Sequence, residues 1–256
     1  MITIKTEKEI EVLREGGRRL AVILTTLAQA VIPGISAVEL NELAIKLVKA
    51  DGDVPAFLNY KPSGAKRPYP GALCVSINDE VVHGLAIDQD KILKEGDIVS
   101  LDLGLNHGGL ITDMSVTVPV GEVRPELLKL INITREALQV GIKTIKDGSH
   151  VGDIGYAIER FVRPYGYGIV EDLCGHGVGH KVHEDPFIPN FGEKGRGEKL
   201  KVGMVLALEP MLNLGTKEVF EASDGFTYKT ADSEPSAHFE HTVVVTKYGA
   251  EILTKI

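Results

Sequence analysis

The chain has 256 residues, 43% hydrophobic and 25% charged, ordinary values for a soluble protein built around one core, so disorder and fibrous structure are excluded. Acidic residues outnumber basic ones 36 to 28 and the net charge is −8, which argues against general or specific DNA affinity, because that needs a basic face to displace counterions. Two cysteines without CxxC spacing, Cys74 and Cys174, make neither a disulfide framework nor a zinc finger and fit a reducing, cytoplasmic compartment.

In chain order, helical composition runs from about Glu7 to Ala30 and stops at Pro33-Gly34. Its uncharged part, Leu20 to Ile32, spans 13 residues, too few for the roughly 20 of a membrane span. Glu7, Glu9, Glu11 and Glu15 occupy the region that a signal peptide keeps basic. Ser36 caps a second predicted helix, AVELNELAIKLVKA, ending at Asp51-Gly52. The Pro/Gly-rich stretch Lys61 to Gly71 reads as a loop, with strand-like sequence directly after it.

Self-comparison then reveals a duplication. LKEGDIVSLDLGLN (Leu93 to Asn106) aligns without gaps on LKVGMVLALEPMLN (Leu200 to Asn213), pairing Asp102 with Glu209. TDMSVTV around Asp113 resembles FEHTVVV around Glu240, and Gly34 and Gly52 match Gly148 and Gly166 at a common offset of 114. Neither half buries its strand pair easily alone. An α+β fold is therefore expected, a single domain over 1–256 with pseudo-twofold halves of about 1–120 and 121–256, whose helix-helix-hairpin units join in one sheet.

IVSLDLGL and LITDMSVTV read as hairpin arms around a four-residue turn, Asn106 to Gly109, a register that sets Asp102 directly opposite Asp113. Ser100, Asp102, Gly104, Asp113, Ser115 and Thr117 then share one polar face, and the leucines and valines between them form the core face. Opposed carboxylates repel unless a cation lies between them. With Glu209 and Glu240 at the equivalent place, four carboxylates converge and call for two divalent cations, of which Mn²⁺, Fe²⁺, Co²⁺ and Zn²⁺ suit oxygen-rich coordination with a little nitrogen.

Three histidines, His176, His180 and His183, lie in CGHGVGHKVHEDP. The spacing of the first two would suit a zinc-binding helix, but Gly175, Gly177 and Gly179 oppose one, since each costs about 1 kcal/mol in a helix. An extended Gly-rich segment is expected, with His176 functional and His176 and His183 brought to one face only by a bend.

NDEVVHG (Asn78 to Gly84), the SLDLG and ITDMSVT hairpin, GHGVGHKVHEDPFIPNFG, MVLALEPM and SAHFEHTVVVT occur in an order that resembles the type I methionine aminopeptidases across nearly the whole chain. The resemblance implies the pita-bread fold with a curved, mainly antiparallel sheet. It implies two divalent metals held by Asp102, Asp113, His176, Glu209 and Glu240, hydrolysis by metal-activated water with Glu209 relaying the proton, and His83 and His183 beside the scissile amide. By similarity the methionine pocket includes Tyr69, Cys74, Val182 and Phe226, with Val182 and Phe226 departing from the phenylalanine and tryptophan frequent there. No role is assigned to His180.

The expected substrates are nascent polypeptides with a small residue after methionine, a rule by which this chain keeps its own Met1 before Ile2. A monomer is expected, in transient contact with the ribosome through KPSGAKRP or GEKGRGEKLK if these basic segments are more than solvated loops. The alternatives are an Xaa-Pro aminopeptidase or prolidase, which shares the five ligands but usually carries an extra N-terminal domain, and a non-catalytic binding protein of the same fold, which would have lost ligands.

Overall fold

Helix α1 spans Glu7–Gln29 and α2 Ala37–Ala50, each opened by a capping box: Thr6 with Glu9, and Ser36 with Glu39. These reciprocal bonds satisfy backbone groups orphaned at a helix start; of the two caps, Ser36 was legible from sequence, and the start of α1 was read from composition alone. In the computed structural model, which describes residues 2–62 and 66–256, strands β1 (Val54–Pro55), β2 (Leu73–Ile77), β3 (Glu80–Val82), β4 (Ile98–His107) and β5 (Leu110–Pro119) follow. Helices α3 (Pro125–Thr144) and α4 (Val151–Val162) open the second half. They lead into β6 (Gly168–Ile169), β7 (Gly175–Gly177), β8 (Glu184–Ile188), β9 (Val205–Leu208) and β10 (Met211–Asn213). Strands β11 (Val219–Glu221), β12 (Tyr228–Thr230), β13 (Ser236–His238), β14 (Glu240–Val245) and β15 (Ala250–Ile252) complete the chain. Met1 and Ser63 to Ala65 lie outside the described residues, so the retention of Met1 and the middle of the Lys61–Gly71 loop receive no structural account.

The main sheet runs β1-β4-β5-β14-β9-β7-β8, with β2 added to β4 and β15 to β14, and every pairing is antiparallel. The two halves meet where β5 pairs with β14. Helices α1 and α2 bury Leu20, Leu24 and Leu40 against Leu101, Leu103 and Leu105 of β4. In the second half α3 and α4 bury Leu130, Leu138 and Ile158 with Leu206, Leu208 and Val243. Gly34, Gly52, Gly148 and Gly166 all have φ between +73° and +94°, so the glycines that align between the halves end or enter helices in the same left-handed conformation. No described helix is long and apolar enough to cross a membrane.

The hairpin register departs from the sequence reading by two residues. Asp102 lies opposite Ser115, and Asp113 opposite Gly104, because the turn is the two-residue Gly108-Gly109 rather than four residues from Asn106. Both glycines have positive φ, +58° and +88°, the mirror-image turn whose twist matches the flanking strands, so Asn106 and His107 stay in β4. A shift of two preserves the alternation. The polar set therefore stays on one face, where it is buried: Ser100 is 2% exposed, Asp113 3% and Thr117 2%.

Candidate metal and substrate site

Five neighbouring strands each deliver one predicted ligand to the polar side of the sheet. Asp102 comes from β4, Asp113 from β5, Glu240 opens β14, Glu209 follows β9 directly, and His176 sits at the centre of β7. Ligand atoms of Asp113, His176 and Glu240 lie within 4.8 Å of one another, and Glu209 Oε1 is 3.5 Å from His176 Nε2. Thr242 fixes the backbone of Asp113, accepting from its N–H at 2.8 Å and donating to its carbonyl at 2.8 Å.

Burial dominates the electrostatics. It holds the carboxyls of Asp102, Glu209 and Glu240 well above the usual carboxylate range, with repulsion among the acids adding to the effect. Asp113 is raised to about 7, chiefly by burial. Desolvation pushes His176 down to about 3 and His83 down to about 4, with His183 the next cause in both. Several carboxylates cannot be ionised together in one dry place unless cations join them.

The orphaned atoms test whether metals fit. Asp102 Oδ1, Asp113 Oδ1 and Glu240 Oε1 are buried without a hydrogen-bond partner, and each such atom costs on the order of 1–3 kcal/mol when left unmet. His176 Nδ1 bonds the Gly177 carbonyl at 2.9 Å, which fixes the ring and leaves Nε2 facing the carboxylates, as metal-binding histidines require. Oxygen donors with one nitrogen match the borderline divalent ions, so the residues fit such a group.

A cavity of about 740 Å³ opens above this cluster and is lined by all eleven residues singled out from sequence. Tyr69, Cys74, Val182 and Phe226 pack in one apolar cluster with Phe57, and the rings of Tyr69 and Phe226 meet edge to face at 5.5 Å. His183 is not on a shared strand with His176. Only Gly175–Gly177 is extended, its register with β8 shifts after His176 so that Gly177 pairs with Glu184, and the loop between those two residues brings the two rings to 4.5 Å. His83 stands at φ +59°, its ring 6.0 Å from that of Tyr228.

Tyr60 and Arg67 are among the cavity residues that the sequence reading did not assign to the site. The Tyr60 hydroxyl lies 2.9 Å from His183 Nδ1. Arg67 stacks its guanidinium 4.6 Å over the Phe226 ring and donates to the Asp224 carbonyl at 2.8 Å. Both belong to irregular chain with no periodicity to reveal what they face. His180 points away from the cavity: its Nε2 is 2.7 Å from Glu9 Oε1 on the first turn of α1, which accounts for its having no assigned role.

Residues 11–247 match metallopeptidase family M24. The chain is 45% identical to the methionine aminopeptidase of Aquifex aeolicus, covering 100% of this chain and 99% of that one. It is 40% identical to methionine aminopeptidase 1 of Bacillus subtilis over the full length of both. Among solved structures, the methionine aminopeptidase of Thermotoga maritima superposes with a TM-score of 0.94 at 44% identity, covering 100% of both chains. The prolidase of Pyrococcus furiosus shares the fold alone, with a TM-score of 0.76 at 24% identity and 65% of that chain covered. With its pita-bread fold, two-part helix-and-strand construction and family match over most of its length, this chain belongs to metallopeptidase family M24.

Proposed function

We propose that the chain removes the N-terminal methionine from polypeptides by metal-dependent hydrolysis, favouring a small residue after it. The observation that carries this reading is the two-part cavity: a wall of buried carboxylates and histidine beside an apolar pocket of Tyr69, Cys74, Val182 and Phe226. Soft and aromatic walls suit a thioether. The full-length relatives named methionine aminopeptidase support the same conclusion.

Asp102, Asp113, His176, Glu209 and Glu240 would hold two divalent cations. When bound, such ions supply Lewis-acid polarisation of a carbonyl and acidify water. Glu209 serves as the proton carrier, taking a proton from the attacking water and passing it to the leaving amine. A Tyr60 hydroxyl donating to His183 Nδ1 at 2.9 Å leaves the neutral ring its Nε2–H, a donor for the oxygen that gains charge. His83, held neutral by burial, serves beside it at the scissile amide. Nascent polypeptides are the matching substrates. A cytoplasmic monomer completes the proposal.

The test compares a peptide beginning Met-Ala with one beginning Ala-Pro, using chelator-stripped protein with Mn²⁺, Fe²⁺ or Co²⁺ restored. Metal-dependent methionine release from the first alone is expected. Cleavage of the second alone would replace the proposal with the prolidase reading.

A further inference from the structure

His238 is 1% exposed, yet both of its ring nitrogens lack a hydrogen-bond partner. A buried imidazole normally satisfies at least one. Its backbone, by contrast, is clamped: the His238 N–H donates to Thr117 Oγ1 at 2.8 Å, and the Thr117 hydroxyl donates back to the His238 carbonyl at 2.8 Å. Ser100 then serves as the donor to Thr117 Oγ1, at 2.8 Å. Thus Ser100 and Thr117, polar residues of the same hairpin face as Asp102 and Asp113, fix the backbone of His238.

The ring they place points at Glu209. Nε2 of His238 is 3.6 Å from Glu209 Oε2, while Glu209 Oε1 lies 3.5 Å from His176 Nε2. The two oxygens of one carboxylate therefore have different neighbours, a proposed metal ligand on one side and an unsatisfied ring nitrogen on the other. Ligating carboxylates are characteristically held by an outer hydrogen bond that orients them. We infer that His238 is a positioning residue: its Nε2–H closes on Glu209 Oε2 and holds the carboxylate so that Oε1 is presented to the cations. This rests on the role of Glu209 proposed above. His238 touches neither substrate nor cation, and its contribution is the orientation of its neighbour.

The experiment compares His238→Leu, His238→Gln and His238→Asn in the full chain, with folding checked by circular dichroism. Mn²⁺ binding to stripped protein is measured by calorimetry, and kcat and KM on the Met-Ala peptide. The leucine and asparagine variants are expected to lose about 10–100-fold in kcat and to bind Mn²⁺ about tenfold more weakly with KM little changed. Glutamine, whose amide reaches further, retains most of both. Equal loss in glutamine and asparagine, or no loss in leucine, would overturn the inference, and the glutamine–asparagine contrast stands even if leucine does not fold. A wild-type chain silent on the peptide, whose Mn²⁺ affinity still tracks position 238, would overturn the aminopeptidase reading and uphold the positioning role.

Discussion

The two faces of the central sheet are buried to nearly the same degree and have opposite chemistry. On β4, Leu101, Leu103 and Leu105 are fully covered by α1 and α2. Between them, Ser100 and Asp102 turn to the other side, where Asp102 is only 8% exposed. The leucine face is satisfied by packing, since buried apolar groups ask for nothing but neighbours. The carboxylate face is left with orphaned oxygens and carboxyls that resist ionisation. Burial by itself does not separate a core from a site; unmet polar demand does.

Substitutions on the two faces should therefore fail in different ways. The largest effect is expected for Glu209→Gln, which removes the proton carrier and should lower kcat by about 10²–10⁴-fold while the far-ultraviolet spectrum is unchanged. Activity near wild type would end the proposed role. On the opposite face, Leu103→Ala should cost about 2–5 kcal/mol in urea unfolding and leave Mn²⁺ affinity as it was.

Asp102→Asn is the mirror experiment. It should weaken Mn²⁺ binding at least about tenfold while leaving the metal-free chain as stable as before or more so, because a neutral amide replaces a buried carboxyl that resists ionisation. Unfolding with metal affinity intact would collapse the distinction between the faces.

Acidity sharpens the comparison further. In the unfolded chain Asp113 titrates near ~3.9, whereas in the folded metal-free chain it titrates at about 7. Between these values the folded state keeps a proton that the unfolded state has lost. The contribution of Asp113 to stability is therefore full at low pH and is lost as pH rises through about 7. Thermal melts of chelator-treated protein from pH 5 to 8 should show that decline, and saturating Mn²⁺ should remove it. A flat profile without metal would contradict the electrostatic account. The smallest effect belongs to neither face: Ser36→Ala, at the start of α2, should cost about 1 kcal/mol by calorimetry with no change in metal affinity.

Much of this arrangement is legible in the sequence. The first helix announced itself through its composition and its Pro33-Gly34 stop, the second through its Ser36 cap and Asp51-Gly52 stop, and the alternation of β4 and β5 put the polar set on one face. The register was not legible, because a two-residue slip keeps every side chain on its face; only the left-handed Gly108-Gly109 turn settles it. Tyr60 and Arg67 were invisible for a different reason, since irregular chain carries no period that says what it faces. His238 sits in a strand of three residues, too short for alternation to place its ring.

By itself the sequence determined the residue types of the site, the duplication that pairs Asp102 with Glu209, and the order of elements, because caps, alternation and repeats are written in neighbouring residues. Only the tertiary structure decided that five strands would lie side by side, that a loop would fold His183 onto His176, and that His238 would face Glu209. Those are contacts between distant segments, set by how the two halves pack together, and no local pattern encodes them.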